Sequence, residues 1–178
     1  MVDNIRSGAD AHANHVIDLM RAGETAGELG RNVELSPDIR VNADEALGLG
    51  GRWSSPRGDV LRLEPAYGGA GNWFALVIAL RAPDLSRVGV VGFALRARAS
   101  QTCHLGVALR SGTADGFVDA RFDKPVMLRE REAVHVDGLG PRGREDVPVQ
   151  APWRQLLVFL PTSEVTAITV HDLRVFIV

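Results

Sequence analysis

Arginine and histidine side chains alternate with apolar residues along two neighbouring strand-like segments. Arg96 and Arg98 belong to VGVVGFALRARAS, and His104 and Arg110 belong to CHLGVALR. If Ser100–Thr102 forms a three-residue hairpin loop, Arg98 lies opposite His104, because the core faces of paired strands must coincide. A guanidinium group is a planar fork of donors that matches a carboxylate. These side chains predict either a concave face that binds an anionic group or a solvated outer face, since charged residues are usually exposed.

Residues arranged for catalysis are not evident in the sequence. It contains no G-x-S-x-G nucleophile motif and neither an H-E-x-x-H nor an H-x-H metal motif. Two pairs of acids occur, Asp119 with Asp123 and Glu130 with Glu132. A glycosidase needs two carboxylates across a cleft, which spacing along the chain does not show, and solvated acids explain both pairs. We therefore predict that the protein is not an enzyme.

The segment NWFALVIALRA, which precedes the arginines, is the most apolar strand candidate. Alternate residues of a strand point to opposite faces. Here the face that includes Phe74 is apolar, and so is the face that begins with Trp73. We therefore predict a central strand covered on both sides. The side chains that we expect to face the core are Phe74, Leu76, Ile78, Leu80, Val91, Phe93, Leu95, Leu105, Val107, Leu109, Leu156, Val158 and Val175.

A strand-like period of two continues through residues 33–178. Roughly nine to eleven strands without helical crossovers predict an all-β fold, an antiparallel jelly-roll-like β-sandwich. Pro37 interrupts VELSPDIRV, as at an edge strand or a bulge. The glycine cluster that begins at Gly48 is interpreted as a turn. The change of parity at His171–Asp172 predicts a β-bulge.

Residues 1–32 differ in pattern and are predicted to form a short N-terminal arm ahead of the sandwich domain at residues 33–178. The apolar residues within Val16–Met20 fit a helix over Asp10–Arg21. The alternative for the arm is disorder. We expect the arm to lie outside the sandwich core and to contribute to a homo-oligomer contact.

Composition narrows the classes of partner. The 178 residues suit one domain with a substantial core, and a net charge of −2 favours neither nucleic acid nor an anionic membrane. Cys103 is the only cysteine, so an internal disulfide is excluded. The N-terminal stretch lacks the apolar segment of a signal peptide, and no run approaches the roughly 18 apolar residues of a membrane span. We expect a cytoplasmic protein that binds neither nucleic acid nor membrane.

Six strand-like pieces follow an order that is typical of one family. They read GRWSSPRGDVLRLEP, GNWFALVIAL, VGVVGFALRARAS, CHLGVALRSG, WRQLLVFLP and ITVHDLRVFIV. In order and spacing, the chain from Val33 to Val178 resembles the jelly-roll carbohydrate-binding modules (CBMs) of the family 4 and 9 type, which are appended to bacterial glycoside hydrolases. The resemblance implies a β-sandwich and supports the fold better than the function.

By this resemblance, the ligand is a saccharide held by exposed aromatic side chains, because the C–H faces of sugars stack on π systems. The chain departs from the family in having only 6% aromatic residues, with Tyr67 as its single tyrosine. Trp73 is the aromatic residue that we assign to the site, beside the arginines and the histidine. These basic side chains would favour an acidic ligand, such as a uronate-bearing saccharide.

Modules of this kind often carry a structural calcium ion. The resemblance implies that Asp172, in the final strand, and Glu34, near the N-terminal strand, contribute ligands. Calcium prefers six to eight oxygen ligands, so two acids would need further donors. No other cofactor is expected.

Three functions remain open at this point. The first is a non-catalytic binding module for a saccharide or another polar ligand. The alternative is a structural or assembly protein that uses the sandwich and residues 1–32 for protein–protein association, which an exposed apolar patch would favour. A sandwich-fold enzyme such as a glycosidase or lyase is the third.

Overall fold

Thirteen strands and one α-helix make up the part of the chain that the structure describes. The computed structural model describes residues 8–163 and 166–178. Helix α1 spans Ala11–Ala22, and a short 3-10 helix spans Glu45–Leu47. The strands are β1 (Thr25–Glu28), β2 (Asn32–Ser36), β3 (Ile39–Ala43), β4 (Leu49–Ser55), β5 (Leu61–Tyr67), β6 (Phe74–Leu80), β7 (Val91–Ala99), β8 (Cys103–Thr113), β9 (Gly116–Arg121), β10 (Val126–Leu128), β11 (Ala133–Leu139), β12 (Arg154–Phe159) and β13 (Ile168–Ile177).

The strands form two antiparallel sheets that pack face to face. The six-stranded sheet has the order β1-β4-β5-β13-β7-β11. The seven-stranded sheet has the order β10-β8-β12-β6-β3-β2, and β9 also pairs with β8. Every pairing between named strands of the described residues is antiparallel. The predicted all-β sandwich with an N-terminal helix is therefore confirmed, with more strands than we predicted.

One hydrophobic core lies between the sheets, and both sheets contribute alternate side chains to it. All the residues predicted to face inward belong to this core, and each is at most 4% exposed. Within this core, the Phe93 ring meets the Phe122 ring edge-on, with ring centroids 5.0 Å apart. The period of two in the sequence therefore identified the inward faces correctly.

The predicted hairpin between β7 and β8 is wrong, because the two strands belong to different sheets. β7 pairs with β13 and β11, whereas β8 pairs with β12, β10 and β9. The chain at Ser100–Thr102 crosses between the layers, and the Ser100 N–H donates to Ala167 O. The core faces of β7 and β8 oppose one another across the sandwich. Both strands therefore keep their predicted parity without pairing with each other.

Three local predictions concern β13, the segment around Pro37 and the glycine cluster at Gly48, and the first two are confirmed. The parity change in β13 is a β-bulge, since the register with β7 shifts between Val170 and Asp172. The segment around Pro37 lies at a sheet edge as predicted, and the register of β2 with β3 shifts between Glu34 and Ser36, just before a turn in which Asp38 has a φ of 66°. Gly48 ends the 3-10 helix in the left-handed conformation, and the glycines after it lie in β4 and not in a turn.

Helix α1 is an integral part of the sandwich. The Asn14 side chain donates to Val175 O at 2.8 Å and accepts from Val175 N at 2.9 Å. The buried Ser55 hydroxyl donates to Met20 O at 2.8 Å. The helix buries Ala13, Val16, Ile17 and Met20 in the core. The predicted helix is confirmed, but the expectation that this segment lies outside the core is wrong. Within the described residues, no helix is long and apolar enough to cross a membrane.

Candidate ligand-binding cleft

An open cleft of about 820 Å³ indents the outer face of the seven-stranded sheet. Strands β3, β6, β8, β9 and β12 contribute to it, together with the residues just before β6 and β12. Its lining combines exposed aromatic side chains, an apolar floor, and charged and amide groups. Such a mixture is typical of sites that bind small molecules.

One row of the register crosses the whole cleft. Arg121, Ala108, Leu157, Val77 and Arg40 are successive partners on β9, β8, β12, β6 and β3. Directly paired residues point to the same face of a sheet. The row therefore carries an arginine at each end and small or apolar side chains between them. Its ends lie four strand spacings of about 4.8 Å apart, or about 19 Å.

The floor of the cleft is apolar. Ala75, Val77 and Leu157 form a small buried cluster separate from the main core, and Phe159 packs against it. These residues lie on the outward parity of β6 and β12, so both strands are largely apolar on both faces, with Gln155 as the polar outward residue of β12. The central position predicted for the Phe74–Leu80 strand is confirmed, since it lies between β12 and β3. Both faces of this strand are also buried as predicted, with only Ala79 partly exposed, although the described residues place no third layer of secondary structure over the outward face.

Three exposed aromatic side chains stand around the floor. Trp73, Trp153 and Phe117 are 42%, 40% and 55% exposed. Trp73 precedes β6 and Trp153 precedes β12, and these strands are antiparallel neighbours. The two tryptophans therefore lie at opposite ends of the cleft. Phe117 lies at the Trp153 end, because it pairs with Gly112, whose N–H donates to Trp153 O.

The Asp44 carboxylate fixes the backbone beside Trp73. It accepts hydrogen bonds from Asn72 N at 2.8 Å and from Ala46 N at 3.1 Å, while Asp44 N donates to Trp73 O at 2.9 Å. The two backbone donors lower the pKa of Asp44 below its ordinary value. The ionised carboxylate therefore holds the loop from which Trp73 projects.

A glycine makes room for the Trp153 ring. A Cβ built on Gly112 would lie 2.6 Å from the indole Nε1 of Trp153. Real Cβ atoms essentially never approach so closely, so the ring needs glycine at this position. By contrast, a Cβ on Gly106 of the same strand would meet its nearest neighbour, Arg121 Nη1, at an ordinary 3.7 Å. The Trp153 ring thus lies directly on β8.

Arg154 anchors the backbone beside Trp153 from inside the protein. This side chain is 1% exposed. It donates to Ala82 O at 2.7 Å, Ser111 Oγ at 2.5 Å, Pro148 O at 2.6 Å and Val149 O at 3.0 Å. Burial lowers the pKa of Arg154. Its four hydrogen bonds tie the chain before Trp153 to the strand ends on either side, which positions the aromatic residue.

A second arginine is held rigidly within the cleft. Arg110 donates to both oxygens of Asp119, each at 2.7 Å. Its guanidinium carbon also lies 3.8 Å from the centre of the Phe117 ring, a cation–π contact. Gln155 is the partner of Arg110 on β12. Arg110 and Asp119 therefore present fixed donors and acceptors beside the apolar floor, with the Gln155 amide next to them.

The other two arginines of the cleft carry no such partner. In the described residues, neither Arg40 nor Arg121 lies within 4.0 Å of a carboxylate oxygen. Arg121 lies over the Phe159 ring, with 5.4 Å between the guanidinium carbon and the ring centroid. Glu34 is the cross-strand neighbour of Arg40 but makes no ion pair with it. Neither guanidinium group is therefore neutralised by an ion pair, although Arg40 Nε donates to the Asn42 side-chain oxygen at 3.2 Å.

The structure separates the residues that the sequence grouped into one site. Arg110 and Trp73 lie in the cleft. Arg96 and Arg98 belong to β7 in the six-stranded sheet, where Arg96 pairs with Glu132 at 3.2 Å. His104 lies on the same strand as Arg110 but at its far end, beside Met127 and outside the cleft lining. The predicted juxtaposition of these basic residues is wrong, because β7 and β8 do not pair.

The acids proposed for calcium do not converge either. Asp172 lies in β13 of the six-stranded sheet, 3.4 Å from Arg21 and 3.2 Å from Arg174. Glu34 lies in β2, an edge strand of the other sheet. No group of three or more His, Cys, Asp or Glu side chains in the described ranges could hold a metal ion. The residues present do not fit a shared calcium site, and calcium binding stays a prediction from the resemblance.

Several cleft residues were missed by reasoning from the sequence. Trp153, Phe117 and Arg121 were not assigned to the site, nor was the apolar floor. A signal for the floor was present, because Leu157 and Phe159 lie on the opposite parity from the core residues of β12. Strands that are apolar on both parities lie side by side here. No comparable signal marked the position of Arg121.

Comparison with known proteins adds a likeness in fold. No protein-family model matches the chain, and no curated protein matches it. The CBM22-1 xylan-binding domain of Xyn10C from Paenibacillus barcinonensis matches with a TM-score of 0.51 and 12% identity, over 89% of this chain and 90% of that one. A CBM4 structure matches with a TM-score of 0.50 and 14% identity, over 80% and 88%. The resemblance to jelly-roll carbohydrate-binding modules is therefore confirmed at the level of the fold.

Proposed function

We propose that this protein is a non-catalytic binding module that holds a saccharide in the cleft of the seven-stranded sheet. The observation that carries the proposal is the exposure of Trp73, Trp153 and Phe117 around an apolar floor. Sugar rings have apolar C–H faces that stack on aromatic rings and hydroxyl groups that need hydrogen bonds. Arg110 and Asp119 lie among the aromatic side chains and offer such bonds.

The shape of the cleft supports an extended ligand. It is open, about 19 Å wide between the two arginines at its ends, and has aromatic side chains at both ends along the strands. A chain of several sugar rings fits these dimensions better than a single ring. The similar CBM22-1 domain is described as xylan-binding, which makes xylan the first neutral polysaccharide to test.

Loss of a tryptophan from the cleft tests the proposal. Affinity electrophoresis in gels containing xylan, β-glucan or mannan compares the wild type with Trp73→Ala and Trp153→Ala. At least one polysaccharide should retard the wild type, and each substitution should weaken binding about tenfold, or about 1.4 kcal/mol. Met127→Ala, which changes an exposed residue outside the cleft, is the control. Wild-type protein that no saccharide retards, neutral or acidic, would contradict the proposal.

The absence of catalysis is part of the proposal. Asp119 is the one carboxylate among the described residues that line the cleft, and Arg110 holds both its oxygens. Hydrolysis of a glycosidic bond ordinarily uses two carboxylates. Incubation with a polysaccharide that binds should therefore release no reducing ends. Release that is lost in Asp119→Asn would show that the protein is an enzyme.

Self-association is a second candidate, through the free edge of β11. Val134 and Val136 on this strand are 67% and 56% exposed. Edge strands offer unpaired backbone groups to another edge, and two copies of β11 can meet about a two-fold axis. Residues 1–32 were expected to supply a homo-oligomer contact, but the apolar side of α1 in this segment is buried instead. Light scattering should show a dimer that Val134→Lys converts to a monomer, whereas a monomeric wild type would exclude this contact.

A further inference from the structure

The charge of the cleft differs from that of the whole protein. The chain has a net charge of −2, yet the cleft lining contains Arg40, Arg110 and Arg121 against the single acid Asp119. We infer that the cleft selects acidic saccharides, with uronate carboxylates bound by Arg121 and Arg40. This inference rests on the proposed function, because it names the ligand class of the same cleft.

Arg121 is the better-placed of the two cations. It ends β9 beside the apolar row of Ala108 and Leu157. Its guanidinium group lies over Phe159 and close to Gly106 at the edge of the floor, while the side chain as a whole remains exposed. A saccharide stacked on the exposed aromatic side chains around the floor would bring its ring substituents to this group. A carboxylate there would form charge-assisted hydrogen bonds, which are stronger than bonds to neutral hydroxyls.

Arg40 occupies the other end of the same row. It pairs with Val77 on one side and with Glu34 on the other. The Glu34 carboxylate makes no ion pair with it but is near enough in register to offset part of its charge. We therefore expect Arg40 to contribute less to anion binding than Arg121. Two cations at opposite ends of an extended cleft match a polymer with repeated carboxylates better than a single small anion.

The remaining arginine is not free for this role. Arg110 already donates two short bonds to Asp119, and its face is covered by Phe117. It can still donate to sugar hydroxyls without a further countercharge. A neutral saccharide, by contrast, would displace water from Arg40 and Arg121 without supplying an opposite charge, which is unfavourable for both groups. A uronate supplies that charge. The preference for acidic saccharides therefore follows from which arginines of the cleft lack a carboxylate partner.

Matched polysaccharides isolate the carboxylate as the variable. Polygalacturonate and glucuronoxylan are compared with their carboxyl-reduced forms, in which each carboxylate becomes a primary alcohol on the same backbone. Affinity electrophoresis and calorimetry then measure binding of the wild type. We expect at least one acidic polymer to bind about tenfold more tightly than its reduced form. This difference should shrink with added salt, because screening weakens charge interactions at an open surface.

Matched variants locate the preference. Arg121→Gln should lose most of the difference between acidic and reduced polymers. Arg121→Lys should keep part of it, since lysine retains the charge without the planar fork. Arg40→Gln should have a smaller effect. Arg98→Gln is the control, because Arg98 is also exposed but lies in the six-stranded sheet.

The outcomes separate the two proposals. Equal binding of acidic and reduced polymers, with Arg121→Gln unchanged, would overturn acidic selectivity and leave saccharide binding in place. Binding of acidic polymers that falls in Arg98→Gln but not in Arg121→Gln would place the site on the other sheet. Failure of every polymer to bind would overturn both proposals. Selective loss in Arg121→Gln alone would support both.

Discussion

The outer faces of the two sheets differ in how their side chains are satisfied. On the six-stranded sheet, β5 alternates strictly between buried and exposed residues, and Arg62 forms an ion pair with Asp59. His171 joins Asp59 at 2.7 Å and Glu132 at 3.5 Å, and Glu132 also pairs with Arg96. These polar side chains are satisfied by hydrogen bonds and ion pairs with one another.

The outer face of the seven-stranded sheet is instead mostly apolar along its two central strands. Apart from Gln155, its outward residues on β6 and β12 are apolar, and the aromatic side chains around them remain exposed. Charged residues on a strand are thus a poor guide to a binding face, because water and mutual pairing satisfy them. An apolar outward face that lacks a covering layer is a better guide. The comparison therefore favours the seven-stranded sheet for the proposed binding site.

Phe93→Ala should have the largest effect, and it should act on both faces equally. Phe93 is fully buried between the sheets and contacts Phe122 and His135. The cavity left by the substitution should lower the free energy of unfolding by about 3–5 kcal/mol. Denaturant melts measure this loss, with the exposed Val134→Ala as the control. A loss below about 1 kcal/mol would show that Phe93 does not lie in the core.

Arg154→Met should damage the seven-stranded side selectively. Methionine keeps an apolar stem but leaves four hydrogen-bond acceptors without their donor. We expect a loss of about 3 kcal/mol in the free energy of unfolding, together with weaker binding at the Trp153 end. Arg98→Met on the other sheet should change stability by less than about 0.5 kcal/mol. Equal effects of the two substitutions would remove the anchoring role assigned to Arg154.

Gly112→Ala should alter the cleft with little change in the core. The added methyl group collides with the Trp153 ring and should force it away from β8. Saccharide affinity should fall about as far as in Trp153→Ala, while the free energy of unfolding should fall by only about 1 kcal/mol. Gly106→Ala, on the same strand and face, meets only ordinary contacts. Tryptophan fluorescence should therefore change in Gly112→Ala and not in Gly106→Ala.

Disrupting the charge network of the six-stranded sheet should have the smallest effect on stability, and this effect should depend on pH. Burial raises the pKa of Asp59, but hydrogen bonds from His171 and Arg62 outweigh this and hold it below 3.8. A carboxyl group with a depressed pKa stabilises the folded state above its ordinary pKa, and this contribution is lost as pH falls through the folded pKa. Asp59→Asn should cost under about 1 kcal/mol near neutral pH.

The pH profile and the binding assay check this last expectation together. The difference in unfolding free energy between wild type and Asp59→Asn should narrow as pH falls below 3.8. Saccharide affinity should be unchanged, since Asp59 lies on the face opposite the cleft. If the difference instead widens in acid, the pKa of Asp59 is not lowered in the folded state. Reduced affinity would instead connect the two faces.

Much of the fold was determined by the sequence alone, because strand periodicity is local. The inward parity of each main strand, the bulge in β13, the central apolar strand β6 and the helix before the sandwich all followed from the order of apolar residues. The partner of each strand did not follow. Leu95 faces the core whether β7 pairs with β8 or with β13, so parity leaves the choice open.

The candidate site was decided by that choice. Once β7 and β8 enter different sheets, Arg98 and His104 separate, and Arg110 meets Asp119 and Phe117 instead. The row from Arg121 to Arg40 joins residues that are 81 positions apart in the chain through three intervening strands. The sequence determined which side chains point outward. Only the tertiary structure decided which of them are neighbours, because pairing between distant strands depends on how the two layers close around a shared core.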